Sequence, residues 1–246
     1  MPTKDVNKEK LNLVLDKYKL NDIEKEELTS MINEIFIHEE FQKRMTDEYK
    51  HHGDITLGEH ILEDTVVTYI LSKKYINKNK NKNNNFNILL AVRISMLHDL
   101  YTLPWQNNND NNSNYFLNKH GFRHPIEAAI NSITWFPNLF KKEKEAEILI
   151  DGIIHHMFPL PVGSFTNNKE NILELNNFDL TKNLSKKNKE ILIRCSNRHK
   201  IKNISISKSI YKEGKIMSKA DKKVSTKQIK NIASAKALIT GNNSKI

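Results

Sequence analysis

The feature that most constrains the fold is an apolar, helix-like run, residues 88–97, that ends directly in the pair His98-Asp99. Such a run predicts a helix buried in a helical core. Titratable groups at the end of a buried helix are costly unless they are paired or bound to a metal. Imidazoles and carboxylates are also ligands of divalent metals, and a helical bundle can gather them from distant parts of a chain. We therefore expect a metal site inside a helical core.

The rest of the chain also favours helices, and we expect an all-α fold. The 246 residues include only seven glycines and six prolines, and apolar residues recur at helical spacing in residues 6–50, 56–75, 143–156 and 210–238. Pro125 is expected to open a further helix near His124. Between about 160 and 208 the pattern weakens, and short β-branched runs there indicate irregular structure, with short β insertions or helix fragments.

The expected organisation is one catalytic domain. N-terminal helices, residues 1–47, pack on a core of residues 48–240, and residues 241–246 form a tail. Two Asn-rich tracts, residues 77–85 and 107–114, are expected to be solvated connectors.

The net charge and the cysteine count limit which classes of partner and which cellular compartment are expected. The net charge of +10 suits a polyanionic partner, but Lys, Asn and Ile are abundant throughout, and no aromatic-interleaved basic groove is visible. A nucleic-acid partner is therefore not favoured. Cys195 is the only cysteine, which excludes an internal disulfide and a thiolate zinc cluster within the chain. With no signal-peptide core and no long uncharged run, we expect a cytoplasmic protein without a membrane partner.

Further histidines and an aspartate lie on or at the ends of predicted helices, beside apolar residues. They are His60, His124, the pair His155-His156 and Asp221. A lone histidine beside an apolar face is more often structural, but the joint pattern favours a shared site. Neighbours on a helix point about 100° apart, so we expect only one of His155 and His156 to be a ligand, and we favour His156. His120 is expected in a loop, because a glycine follows it and a proline comes soon after.

The order of these residues resembles the HD superfamily of metal-dependent phosphohydrolases, in particular a group of small bacterial HD-domain proteins. The resemblance covers most of residues 48–226. The segments that carry it are Tyr49-Lys50-His51-His52-Gly53, Glu59-His60, Met96-Leu97-His98-Asp99, His120-Gly121-Phe122-Arg123-His124-Pro125, His156-Met157-Phe158-Pro159-Leu160 and Ser218-Lys219-Ala220-Asp221-Lys222.

The resemblance implies an HD-domain helical bundle and a set of ligands. Its core metal ligands would be His60, His98, Asp99 and Asp221, with His98 and Asp99 central to catalysis. His124 and His156 match the additional ligands of two-metal members, so the site would take one or two ions, and we favour two. Mixed imidazole and carboxylate ligation suits Mn, Fe, Co, Ni or Zn. Such an ion lowers the pKa of bound water from about 16 towards 7 and neutralises phosphate oxygens, as phosphoester hydrolysis requires.

Three cationic residues are candidates for substrate binding. Arg93 and Arg123 can clamp a phosphate, with an ordinary ion-pair role as the alternative, and Lys222 can contact substrate beside Asp221. His52 is a candidate for the mouth of the site, with a turn role as the alternative.

The chain also departs from the family pattern in two places. No acidic residue follows shortly after Asp99, which leaves a general base unassigned. The gap between His156 and Asp221 is long, so Asp151 and Asp179 are alternative carboxylates.

These observations predict a metal-dependent phosphohydrolase that acts on a nucleotide or another small phosphorylated metabolite through metal-activated water. One alternative is a catalytically silent regulatory module that binds a metal or a nucleotide. Another is an RNA-associated basic helical protein whose residues 186–202 dock on phosphates. Whether the protein forms a homo-oligomer stays open.

Overall fold

Helices dominate the computed structural model, which describes residues 4–80, 85–102, 120–163, 174–175, 178–179, 184–201 and 204–240. The α-helices of these residues are α1 (Lys4–Lys17), α2 (Asp22–Phe36), α3 (Glu39–Arg44), α4 (Leu57–Lys78), α5 (Ile88–Leu97), α6 (His120–Trp135), α7 (Glu143–Ile154), α8 (Lys186–Ser196) and α9 (Lys212–Thr240). Short 3₁₀ turns span Asp47–Tyr49 and Pro137–Phe140. The predicted all-α class is confirmed.

The strands are short, with two or three residues each. They are β1 (Lys50–His52), β2 (Ile55–Thr56), β3 (Val162–Gly163), β4 (Glu174–Leu175), β5 (Phe178–Asp179), β6 (Lys200–Ile201) and β7 (Ile204–Ser205). β1 pairs with β2 and β4 with β5, while β3, β7 and β6 form a three-stranded antiparallel sheet in that order. The irregular stretch predicted between about 160 and 208 therefore holds both β insertions and a helix, since residues 191–193 belong to α8.

Helix α4 begins where its sequence provides a capping box. The Thr56 hydroxyl accepts a hydrogen bond from the Glu59 backbone N–H, and the Glu59 carboxylate accepts one from the Thr56 backbone N–H. Such a reciprocal pair satisfies amide groups that a helix leaves without partners in its first turn. His60 follows in the same turn, so the cap fixes the position of this histidine along the helix.

Helix α5 is the centre of the bundle. It packs against α4, α7, α9 and α2, and seven of its ten residues are buried. Asn87 caps it by accepting a hydrogen bond from the backbone N–H of Leu90. The pair His98-Asp99 at the other end of α5 is thereby placed between the surrounding helices.

Two glycines let α7 and α9 approach closely. A Cβ atom at Gly214 in α9 would lie 2.8 Å from the Cα atom of Gly152 in α7, and it would also meet the side chain of Ser209. No side chain fits at this contact. The close approach brings the end of α7, and His156 beyond it, beside the part of α9 that carries Asp221.

Some predicted boundaries were wrong. Helix α6 begins at His120 and contains Pro125, because a proline so near the helix start removes only one backbone hydrogen bond. Helix α4 continues to Lys78, into the first Asn-rich tract, while the second tract, residues 107–114, lies outside the described residues. No helix in the described part of the chain is both long enough and apolar enough to cross a membrane.

Candidate metal centre

Helices from most of the chain contribute to one buried cluster of histidines and aspartates. His60 comes from α4, His98 and Asp99 follow α5, His124 comes from α6, His156 follows α7, and Asp221 comes from α9. Each of the six is at most 8 % exposed. The structure thus brings together all six residues that the sequence proposed as metal ligands.

Asp99 lies at the centre of the cluster, and its two oxygens face different pairs of histidines. Its Oδ1 is 3.4 Å from His124 Nε2 and 3.5 Å from His156 Nε2. Its Oδ2 is 3.5 Å from His98 Nε2 and 3.8 Å from His60 Nε2. The Asp99 carboxylate therefore lies between two pairs of imidazoles.

Asp64 is a further member of the cluster that the sequence analysis missed. It is fully buried, and its Oδ2 lies 3.1 Å from His60 Nε2 and 3.4 Å from His98 Nε2. With Asp221 these residues form a group whose ligand atoms all lie within 4.8 Å of one another. The signal was available, because residues four apart on a helix share a face, and Asp64 follows His60 at that spacing.

Hydrogen bonds on the outer ring nitrogens orient three of the histidines. The Nδ1 atoms contact oxygens that act as acceptors, in the pairs His60–Gln228 at 3.0 Å, His98–Ser95 at 2.7 Å and His156–Ile153 at 2.7 Å. A carbonyl oxygen can only accept, so the Nδ1 atoms of His98 and His156 donate. Their Nε2 atoms are then left facing the cluster, as is usual for histidine ligands of metals.

The donor atoms fit a metal ion. His98 Nε2, Asp99 Oδ1 and both oxygens of Asp64 are buried and have no hydrogen-bond partner among the described residues, which is rare for polar atoms in native proteins. The Nε2 atoms of His124 and His156 lie 3.1 Å apart. Two nitrogen ligands about 2.1 Å from one ion would be about 3.0 Å apart at a right angle.

The electrostatics of the cluster place a proton on His98. Burial disfavours the charged imidazole, but the Asp99 and Asp64 carboxylates outweigh that effect and raise the pKa of His98 to about 10. Burial raises the pKa of Asp64 to about 6, with His60 opposing it. The pKa of Asp99 is held well below its usual value, because the nearby histidines overcome the effect of burial. Burial and the charge on His98 lower the pKa of His156 to about 3. A cation entering the centre would therefore displace the His98 proton.

A cavity of about 530 Å³ opens onto the cluster. Its wall includes Asp99 and Asp221 together with Lys222 and the apolar Met157 and Leu160. The volume lies within the range of small-molecule sites. We refer to this space as the metal cavity.

His51 is a second residue of this site that the sequence analysis passed over. It lies in β1 and lines the metal cavity, and its ring stacks on that of His60 with centroids 4.1 Å apart. The sequence analysis chose its neighbour His52, whose side chain lies outside the described residues.

The two arginines proposed as phosphate clamps do not line the metal cavity. Arg93 Nη2 is 3.7 Å from Glu34 Oε2 on α2, and Arg123 Nε is 3.7 Å from Glu127 Oε2 one turn along α6. Their positions therefore match the ion-pair alternative. Lys222 does line the cavity.

Asp151 does not join the centre. Its carboxylate accepts hydrogen bonds from Arg198 and Ser209 in a separate buried network that also holds His155. Asp221 is therefore the carboxylate that completes the cluster. The side chain of Asp179 lies outside the described residues.

Comparison with known proteins gave no match: no protein-family model, no curated protein and no solved structure matches this chain. The geometry alone establishes a helical fold with a buried group of histidines and aspartates that can hold a metal ion.

Proposed function

We propose that this chain is an HD-type, metal-dependent phosphohydrolase that acts on a nucleotide or another small phosphorylated metabolite. The observation that carries the proposal is the position of Asp99, whose two oxygens face two separate pairs of histidines beside a cavity. A bridging carboxylate flanked by imidazoles suits a pair of divalent ions, as in enzymes that displace groups at phosphorus.

The ligands divide into two sets that share Asp99. His60, His98 and Asp221 would hold one ion, with Asp64 within reach of it, and His124 and His156 would hold the other. Divalent Mn, Fe, Co, Ni or Zn bound there would supply activated water and neutralise phosphate charge.

The protein's own residues would orient the ligands and the substrate. The hydrogen bonds on Nδ1 hold the rings of His60, His98 and His156 in place, and preorganised groups avoid the cost of rearrangement during reaction. Lys222, which lines the cavity, would contact a phosphate oxygen of the substrate. Met157 and Leu160 in the same wall would pack against the organic part of the substrate, which favours a nucleotide over inorganic phosphate.

The test is metal content followed by phosphate release. Chelator-treated protein is reloaded with Mn, Fe, Co, Ni or Zn and assayed against nucleoside mono-, di- and triphosphates and sugar phosphates. We expect one or two bound ions and release of phosphate from at least one class. Asp99→Asn should lower the rate at least about 100-fold, since it removes the shared ligand, while Asp22→Asn, at a fully exposed carboxylate, should not.

Two results would reject the proposal, and they differ in meaning. Bound metal without turnover of any substrate would support the regulatory-module alternative. Failure of the wild-type protein to retain any of the five metals would contradict both the hydrolase and a metal-binding regulatory module.

A further inference from the structure

A second cavity, of about 450 Å³, is lined largely by lysines. Lys215, Lys219 and Lys222 come from α9, and Lys208 comes from the segment that precedes this helix. The spacing of four and then three residues places the three α9 lysines on one face of the helix. We call this space the lysine cavity.

Acidic side chains of the described residues do not balance the positive charge of the lysine cavity. No acidic residue in the described part of the chain lines it, and the lysine salt bridges of the described residues all involve other lysines. Two ammonium groups converge on one aromatic ring: Lys208 Nζ and Lys222 Nζ lie 5.0 and 5.7 Å from the ring centroid of Phe158. Like charges on one helix face repel one another, so an anion in this cavity would be stabilising.

A buried nitrogen in the wall of the lysine cavity also lacks a partner. His155 is 1 % exposed, and its Nδ1 lies 2.9 Å from the backbone oxygen of Asp151. Its Nε2 is buried with no hydrogen-bond partner among the described residues, although the residue lines the cavity. Because a carbonyl oxygen can only accept, Nδ1 donates to it, and Nε2 is the ring nitrogen left without a partner. A phosphate group bound in the cavity would supply the missing hydrogen bond.

We propose that the lysine cavity is a second anion site, which binds a phosphate group beside the metal centre. Lys222 lines both cavities, and the consecutive residues His155 and His156 line one each. The bound phosphate would belong either to a remote part of the substrate or to a separate effector, and both share the same chemistry. The binding of an anion here does not require that the proposed hydrolysis be correct.

The binding test uses metal-free full-length protein, so that anion binding by a loaded metal centre does not contribute. Inorganic pyrophosphate is titrated into the wild type, into a Lys215→Ala, Lys219→Ala double variant, and into a Lys212→Ala, Lys223→Ala control. The control pair comes from the same helix and removes the same charge, but it does not line the lysine cavity. We expect the dissociation constant to rise at least about 10-fold in the first pair and to stay within about twofold in the control.

Circular dichroism of both pairs would verify that the helices remain folded. Absence of pyrophosphate binding by the wild type would overturn the proposal, and so would equal weakening in the two pairs, which would indicate general attraction by net charge.

The source of the phosphate is resolved with metal-loaded protein once a substrate is known. If the cavity holds part of the substrate, the first double variant should raise KM for substrates with two separated phosphate groups and leave KM for monophosphates unchanged. If it holds an effector, pyrophosphate should change the rate on a monophosphate in the wild type and have no effect in that variant. A variant that matches the wild type in both assays would overturn the proposal.

Discussion

At the scale of single residues, the buried carboxylate of Asp64 is the group of the centre that most needs a compensating positive charge. Both of its oxygens are buried without a hydrogen-bond partner among the described residues, and burial raises the pKa of this carboxyl to about 6. Leaving a carboxylate in such a place costs free energy unless a positive charge compensates it. The protonated His98 can do so in the metal-free protein, and a cation can do so when bound.

Asp64→Asn should therefore weaken metal binding and leave the fold intact. The amide keeps the shape of the side chain but removes a negative charge, and loss of a residue that supports a metal site typically costs about 10- to 100-fold in affinity. Metal affinity is measured by competition with a chelator, with Asp54→Asn as the control, because the Asp54 carboxylate is fully exposed. Equal affinities for the wild type and Asp64→Asn would show that Asp64 takes no part in metal binding.

Metal affinity should also rise with pH. The pKa of His98 is raised from 6.5 to about 10 in the metal-free protein. The bound proton therefore stabilises the folded, metal-free protein fully below pH 6.5, and this stabilisation is lost as the pH rises through about 10. A metal must displace this proton, and binding then becomes tighter as protons become scarcer.

Calorimetry of Mn binding between pH 6.5 and 9, in buffers of different ionisation enthalpy, would measure the release of the proton directly. An affinity that is flat or falls over this range would contradict the assignment of the proton to His98.

The six residues that the sequence singled out as candidate ligands lie together in the structure, and the position of Arg93 away from the metal cavity has a geometric reason. Arg93 lies five residues before His98, and five residues of a helix turn the direction by about 140° relative to the starting point. The two side chains therefore diverge, which explains why Arg93 faces α2. Asp64 was not predicted, although its spacing of four residues from His60 places both side chains on the same helix face.

At the scale of elements, the contact between α7 and α9 aligns two parts of the centre. Gly152 and Gly214 let the two backbones touch, which hydrophobic periodicity alone does not predict. Periodicity identified these helices, because each has one apolar face. It could not give the positions of the strands between 160 and 208, since two-residue strands depend on partners elsewhere in the chain.

Gly214→Ala should destabilise the protein, because the added methyl group would meet the backbone of α7. Overpacking of this kind costs about 1–3 kcal/mol, which thermal unfolding would report as a lower melting temperature. Gly121→Ala is the matched control, since a Cβ atom at Gly121 meets nothing within 4 Å. An unchanged melting temperature for Gly214→Ala would show that α7 and α9 can separate without cost.

At the scale of the whole molecule, the centre is built from residues that are far apart in the sequence. Its residues come from five helices or their ends, from His60 in α4 to Asp221 in α9, and α4 and α9 pack along each other. A ligand that binds only the folded state adds its binding free energy to the stability of the whole domain. The centre would therefore couple metal binding to the stability of the entire bundle.

Added metal should raise the melting temperature by an amount that grows with the logarithm of the metal concentration relative to the dissociation constant. At 100 times the dissociation constant the gain is about 2.7 kcal/mol, which corresponds to about 5–10 °C for a domain of this size. The measurement is thermal unfolding with and without Mn. Asp99→Asn should lose most of the shift, and a shift of equal size in that variant would mean that the metal binds elsewhere.

The hydrogen bond between His60 and Gln228 joins residues 168 positions apart. A ribosome adds about 5–20 residues per second, so on the order of 10 to 30 seconds separate the synthesis of the two partners. During that interval the nascent chain carries His60 and Asp64 without the helix that will cover them. The cluster can therefore be completed only after α9 has been synthesised, and an ion that needs ligands from both α4 and α9 would bind after that point.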